Sequence, residues 1–118
     1  MFTGRFARHQ RLLRPAEFKQ VFDRPCKISD KYLTLLCRQN DLPQARMGLA
    51  IAKRQIKTAV ARNRIKRFSR ETFRQHQLEL AGLDIVVLAR TSAAQLTKQE
   101  LRRVLDNLWQ GLIKKCKS

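Results

Sequence analysis

Acidic residues are scarce in this chain. Nine Asp and Glu stand against 26 Lys and Arg in 118 residues, a formal charge of +17 at neutral pH. So one-sided a surface cannot neutralise itself, and its charges repel one another in the compact state. The natural counterpart is a polyanion, nucleic acid first and an anionic membrane surface second. The acids present are scattered, and the histidines are only His9 and His76. No grouping resembles a metal site or an acid–base pair, which argues against an autonomous protein nuclease.

Long apolar runs are missing too. None approaches the ~20 residues that span a bilayer. The N-terminus, MFTGRFARHQRLLR, is basic and has no apolar stretch of signal-peptide length, so a cytosolic protein is expected. Cysteine is sparse: Cys26, Cys37 and Cys116 are odd in number and widely spaced. That pattern argues against a disulfide framework and a zinc site, and predicts three reduced thiols. Hydrophobic residues make up 43% of the chain, enough for one folded domain over residues 1–118.

Residues 1–14 carry Arg5, Arg8, Arg11 and Arg14 with little apolar periodicity, and read as a basic arm that orders on binding. Pro15 suits the first position of a helix. In PAEFKQVFD, Phe18, Val21 and Phe22 share one face, and Pro25 ends the segment. CKISDKYLTLLCRQ (26–39) suits two strands around a Ser29-Asp30 turn. ARMGLAIAK (45–53) alternates, with Met47, Leu49 and Ile51 opposite Arg46, Gly48, Ala50 and Ala52. The small residues on that second face leave room for something to approach.

From Thr58 to Leu80 the period becomes helical, with Ala61, Ile65, Phe68 and Thr72 as an apolar stripe and Gly82 as the stop. LDIVVLA (83–89) suits a buried strand. TKQE (97–100) fits a capping box ahead of a helix that buries Leu101, Val104, Leu105, Leu108 and Leu112. The order is α-β-β-β-α-β-α, an α+β domain with helices on a small sheet.

The helix after Thr58 carries the functional signal. Lys53 to Arg74 holds nine Lys and Arg against one acid, Glu71. At ~3.6 residues per turn, Arg62, Asn63, Lys66, Arg67, Arg70 and Arg74 share an arc opposite the apolar stripe, with Arg64 on the flank. Solvation alone is served as well by mixed Glu and Lys. Arginine's planar fork also bonds phosphate oxygens in pairs and stacks on bases. Asn63 suits three roles: orienting an arginine, bonding a ribose or base, or sitting as a neutral surface residue. Phe73 falls within the basic arc, as an apolar edge contact or as a base-stacking ring. Phe18 and Phe22 suit either a core or a stacking wall for single-stranded bases. If the first helix lies along one edge of the sheet, the gap is a groove that Arg46, Lys53 and Arg54 can line.

At AVARNRIKRFSRETFR (59–74) the sequence resembles the bacterial ribonuclease P protein subunit. IAKRQIKTAVARNRIKR (51–67) reproduces that family's strand, Lys-rich turn and Arg-Asn-Arg helix. RLLRPAEFKQVF, GLAIAK, DIVVLAR and the Leu-rich last helix extend the resemblance over nearly the whole chain. It implies an α-β sandwich like a domain of some ribosomal proteins, with a left-handed β-α-β crossover against the usual hand. It also implies an RNA subunit as the catalyst, with magnesium bound through that RNA, and precursor tRNA as substrate. Arg62, Asn63, Arg64, Lys66, Arg67 and Arg70 would then face the catalytic RNA. Phe18, Phe22 and Lys53 would line a cleft for the 5′ leader, with Arg46 and Arg54 beside them. One departure is visible: some members carry an aromatic late in the second strand, where this chain has Leu35, Leu36 and Cys37. The alternative reading is a general RNA-binding or ribosomal protein with no catalytic RNA partner.

Overall fold

A computed structural model describes residues 8–12 and 14–117. The elements follow the expected order: α1 (Pro15–Phe22), β1 (Cys26–Ser29), β2 (Leu33–Gln39), β3 (Arg46–Ala50), α2 (Ala59–His76), β4 (Leu83–Ala89) and α3 (Lys98–Cys116). The strands form one sheet in the order β1-β2-β4-β3. β2 runs antiparallel to both β1 and β4, whereas β3 and β4 are parallel and joined through α2.

Alternation along the strands divides the side chains between two faces. Leu33, Leu35, Cys37, Met47, Ile85 and Val87 point to the main core, beneath α2 and α3. Leu36 and Val86 point the other way and meet Leu12, Phe18 and Val21. The approach that the small residues of β3 permit is made by the chain itself. A methyl group added at Gly48 would lie 2.5 Å from the Phe18 ring, so glycine there lets α1 sit against the sheet.

The helix ends have local causes. Pro15 opens α1, and the Glu17 carboxylate accepts from the Arg14 N–H at 2.9 Å. At α3 the expected capping box is present: Thr97 Oγ1 accepts from the Glu100 N–H, and Glu100 Oε1 accepts from the Thr97 N–H. α2 stops at His76, short of Leu80. The chain turns there so that Leu80 is buried and Gly82, at φ 89°, reaches the strands; its carbonyl accepts from the Asn40 N–H.

Two expectations change. Residues 8–12 of the basic arm are built into the fold: Leu12 is buried and its N–H donates to the Met47 carbonyl, while Gln10 donates to Gln77. Residues 1–7 and 13 lie outside the described residues. The expectation of three reduced thiols is overturned, since Cys26 and Cys116 form a disulfide and Cys37 alone is free and buried. Spacing misled because the pair is 90 residues apart in sequence yet adjacent in space, with α3 lying on β1.

Candidate nucleic-acid interface

α2 begins where Thr58 Oγ1 accepts from the Ala61 N–H at 3.2 Å. The turn before it is fastened from three directions. Ile56 is fully buried, Thr91 Oγ1 donates to Gln55 Oε1, and Arg62 Nη1 donates to the carbonyls of Ile56 and Lys57. Lys53, Arg54 and Lys57 are therefore exposed on a fixed turn. The first helical turn behind them carries no acid, and its positive dipole end adds to their charge.

One side of α2 is greasy, as the stripe requires. Ile65, Phe68 and Thr72 are buried, and so are Ser69 and Phe73. Phe73 lies against Trp109 with ring centroids 5.8 Å apart, which makes it core rather than a stacking ring. The opposite side carries the cations. Asn63, Arg67 and Arg70 are exposed, while Arg62, Arg64, Lys66 and Arg74 are half-buried. Among the described residues the carboxylate that reaches this face is Glu71, 3.4 Å from Arg67, whose side chain is 70% exposed. Such a pair contributes little in water and leaves Arg67 available to a phosphate.

Lys66 and Arg70 turn toward the sheet. With Arg11, Leu12, Phe18, Met47, Gly48 and Leu49 they line a recess of about 180 Å³. Partial burial, and then the positive charge of Arg11, pull the Arg70 pKa down. An arginine stays cationic regardless. Two guanidinium groups held together over an aromatic floor gain from an anion between them. Arg11 belongs to this site, although its sequence context marked it only as part of the arm; its bridge to Met47 is what places it there.

The other residues expected in a cleft are not gathered in one place. Phe22 is 47% exposed and lines a second recess with Lys19, Gln20, Asp23 and Arg38, away from the recess that Phe18 floors. Lys53 and Arg54 lie on the turn beyond β3. Arg46 is committed within the chain: its guanidinium donates to Asp84 at 2.6 and 2.8 Å and to Glu17 at 2.7 Å. The hydrogen bond to Asp84 is the main cause that raises its pKa. It ties α1 to the sheet rather than offering a free cation.

Fold and site together define a small cationic α+β domain whose central helix turns an arginine-rich face outward. The sequence matches the Ribonuclease P family over residues 6–113. It is 52% identical over 108 residues to the ribonuclease P protein component of Stutzerimonas stutzeri, covering 91% of this chain and 82% of that protein. To the Vibrio cholerae component it is 47% identical over 112 residues, covering 95% of each. Its fold resembles the Staphylococcus aureus RNase P protein, with a TM-score of 0.79 and 25% identity over 86% of this chain and 93% of that one. The Thermotoga maritima RNase P protein gives 0.75 and 27% over 86% and 96%. The chain belongs to the ribonuclease P protein family. Membership carries the role of protein component of an endoribonuclease complex in tRNA processing. No helix among the described residues is long and apolar enough to cross a membrane.

Proposed function

We propose that α2 binds the catalytic RNA of ribonuclease P, and that the cleft around α1 and β3 guides the 5′ leader of precursor tRNA. The observation that carries this is the recess of Arg11, Lys66 and Arg70 over Phe18, continuous with the exposed Asn63–Arg67–Arg70 ridge. Cations fixed on a packed helix cost no reorganisation when phosphates arrive. They screen RNA–RNA repulsion, and thereby strengthen magnesium binding in the RNA. Glu17 and Asp84 are engaged by Arg46, which supports a reading in which the protein contributes positive charge and magnesium is bound through the RNA. Endonucleolytic cleavage is the work of the RNA subunit, and the complex acts in the cytoplasm.

The decisive experiment is precursor-tRNA cleavage at low magnesium by the RNA subunit alone and with protein added. Stimulation by the protein is expected, with no cleavage by protein alone. Absence of stimulation would reduce the chain to a general RNA-binding protein. Cleavage without RNA would overturn the division of labour.

A further inference from the structure

The three cysteines form a cluster on the main-core side of the sheet, remote in sequence from the arginine helix. Cys26 and Cys37 are partners across the β1–β2 pair. Cys116 is brought over them by the seat of α3 on β1. Gly111 lies against Ile28, so closely that a methyl group there would be 2.3 Å from the Ile28 Cδ1. From Gly111 to Cys116 the helix advances roughly 7.5 Å, and from Ile28 back to Cys26 the strand covers roughly 6.6 Å. The two paths match, so Cys116 meets Cys26. All three sulfur atoms lie within 4.8 Å of one another.

We propose that the reduced chain holds one soft cation of the copper(I) class on the sulfurs of Cys26, Cys37 and Cys116. Three sulfurs around one ion at roughly 2.3 Å stand roughly 4 Å apart. The Cys37 sulfur lies within 4.8 Å of the other two, and reduction frees Cys26 and Cys116 to part from bonding distance to that spacing. Among the described residues no histidine or carboxylate completes the group. Thiolates alone, three in number, suit a soft ion of low coordination number better than zinc, which favours four ligands. Copper(I) and three thiols give a copper–trithiolate of charge −2 and release three protons. Lys115, one residue from Cys116, brings a cation to this corner of the fold, where its Nζ donates to the Lys27 carbonyl at 2.7 Å.

Reduction must come first, because Cys26 and Cys116 are joined in the structure. A phosphine supplies it. The phosphine takes oxygen from water and becomes the phosphine oxide, and the disulfide takes the two electrons and two protons to give two thiols. Oxidation of the same two sulfurs dismantles the ion site, so disulfide and copper exclude each other.

The test uses the full chain, phosphine-reduced and free of oxygen, titrated into copper(I) bicinchoninate. The reduced chain should withdraw one copper per molecule and the disulfide form none. Copper K-edge absorption should count three sulfurs. Cys37→Ser should weaken binding by more than about a hundredfold, beyond the 10–100-fold that changes around a metal's ligands cost. Cys116→Ser, in the partly exposed last turn of α3, repeats that test with little risk to the fold, and thermal melting confirms that both variants are folded. Failure of the reduced chain to withdraw copper, a count of two sulfurs, or equal affinity in Cys37→Ser would each overturn the proposal. The absorption count needs no variant, so it decides even if both substitutions unfold the chain.

Discussion

One hydroxyl joins the two long helices. Thr72 Oγ1 donates to the Phe68 carbonyl and accepts from Trp109 Nε1, each at 2.8 Å and fully inside the core. Thr72→Val keeps the shape but leaves the indole N–H without an acceptor, which costs about 1–3 kcal/mol. Urea denaturation followed by Trp109 fluorescence should show that loss, and Thr72→Ser should recover most of it. Cys37 makes a second residue-scale case. Burial raises its thiol from 9.0 to about 11. The folded state thus favours the neutral thiol, and the sign follows. Its contribution is fully present below pH 9 and is lost as pH rises toward 11. Two units correspond to about 2–3 kcal/mol as an upper figure. The wild type should lose that much more stability than Cys37→Ala between those limits, and equal alkaline losses would show that the thiol ionises freely in the fold.

At the scale of elements, α1 is a wedge whose two sides serve different recesses. Gly48 sets its depth. Gly48→Ala forces the Phe18 ring to move, at a cost of about 1–3 kcal/mol, and shifts the aromatic floor beneath Lys66 and Arg70. RNA affinity should fall in that variant even where it remains folded. Phe22→Ala, on the other side and half in solvent, should leave stability within about 0.5–1 kcal/mol of wild type, because little packing is lost. If Phe22 touches the leader, that variant weakens binding of leader-bearing precursor more than mature tRNA; equal binding losses would remove it from the leader path. These elements were legible because each announces itself locally: alternation in β3, a capping box before α3, an apolar stripe along α2. Which side of α1 each phenylalanine serves was not legible, since helical spacing places both rings on one broad face. Only the seat of α1 on Gly48 separates them. Arg46 was misleading for a related reason. Alternation correctly put it on the outer face of β3, but its partners Glu17 and Asp84 come from two other elements, and one-dimensional pattern does not reveal pairing of that kind. The disulfide was hidden likewise, by a contact between an edge strand and the last turn of the final helix.

For the whole molecule, charge is the controlling quantity, and it acts with opposite sign on folding and on binding. The folded chain confines +17 within a radius of gyration of 13.2 Å. An unfolded chain of this length extends to roughly 35 Å, so its like charges lie two to three times further apart. Screening therefore relieves the native state more than the unfolded one. The screening length falls from about 30 Å at 0.01 M salt to about 10 Å at 0.1 M, the range over which charges across this molecule lose contact. The melting temperature of the free protein should rise over that range, measured in a buffer of fixed pH with chloride as the added anion. Binding responds the other way, because each phosphate neutralised releases condensed counterions and steepens the fall of affinity with salt by about 0.7–0.9 per contact. Arg67→Ala removes an exposed cation from the α2 ridge, whose contacts within the chain are the Glu71 carboxylate and the ring of Phe68 beneath it. It should flatten the RNA-binding slope by about one unit and raise the low-salt melting temperature slightly. Arg62→Ala should flatten the slope and also lower the melting temperature, because its guanidinium holds the carbonyls of Ile56 and Lys57. A melting temperature indifferent to salt would mean that the cations are already neutralised within the molecule, and the outward arginine face would then have no bearing on RNA.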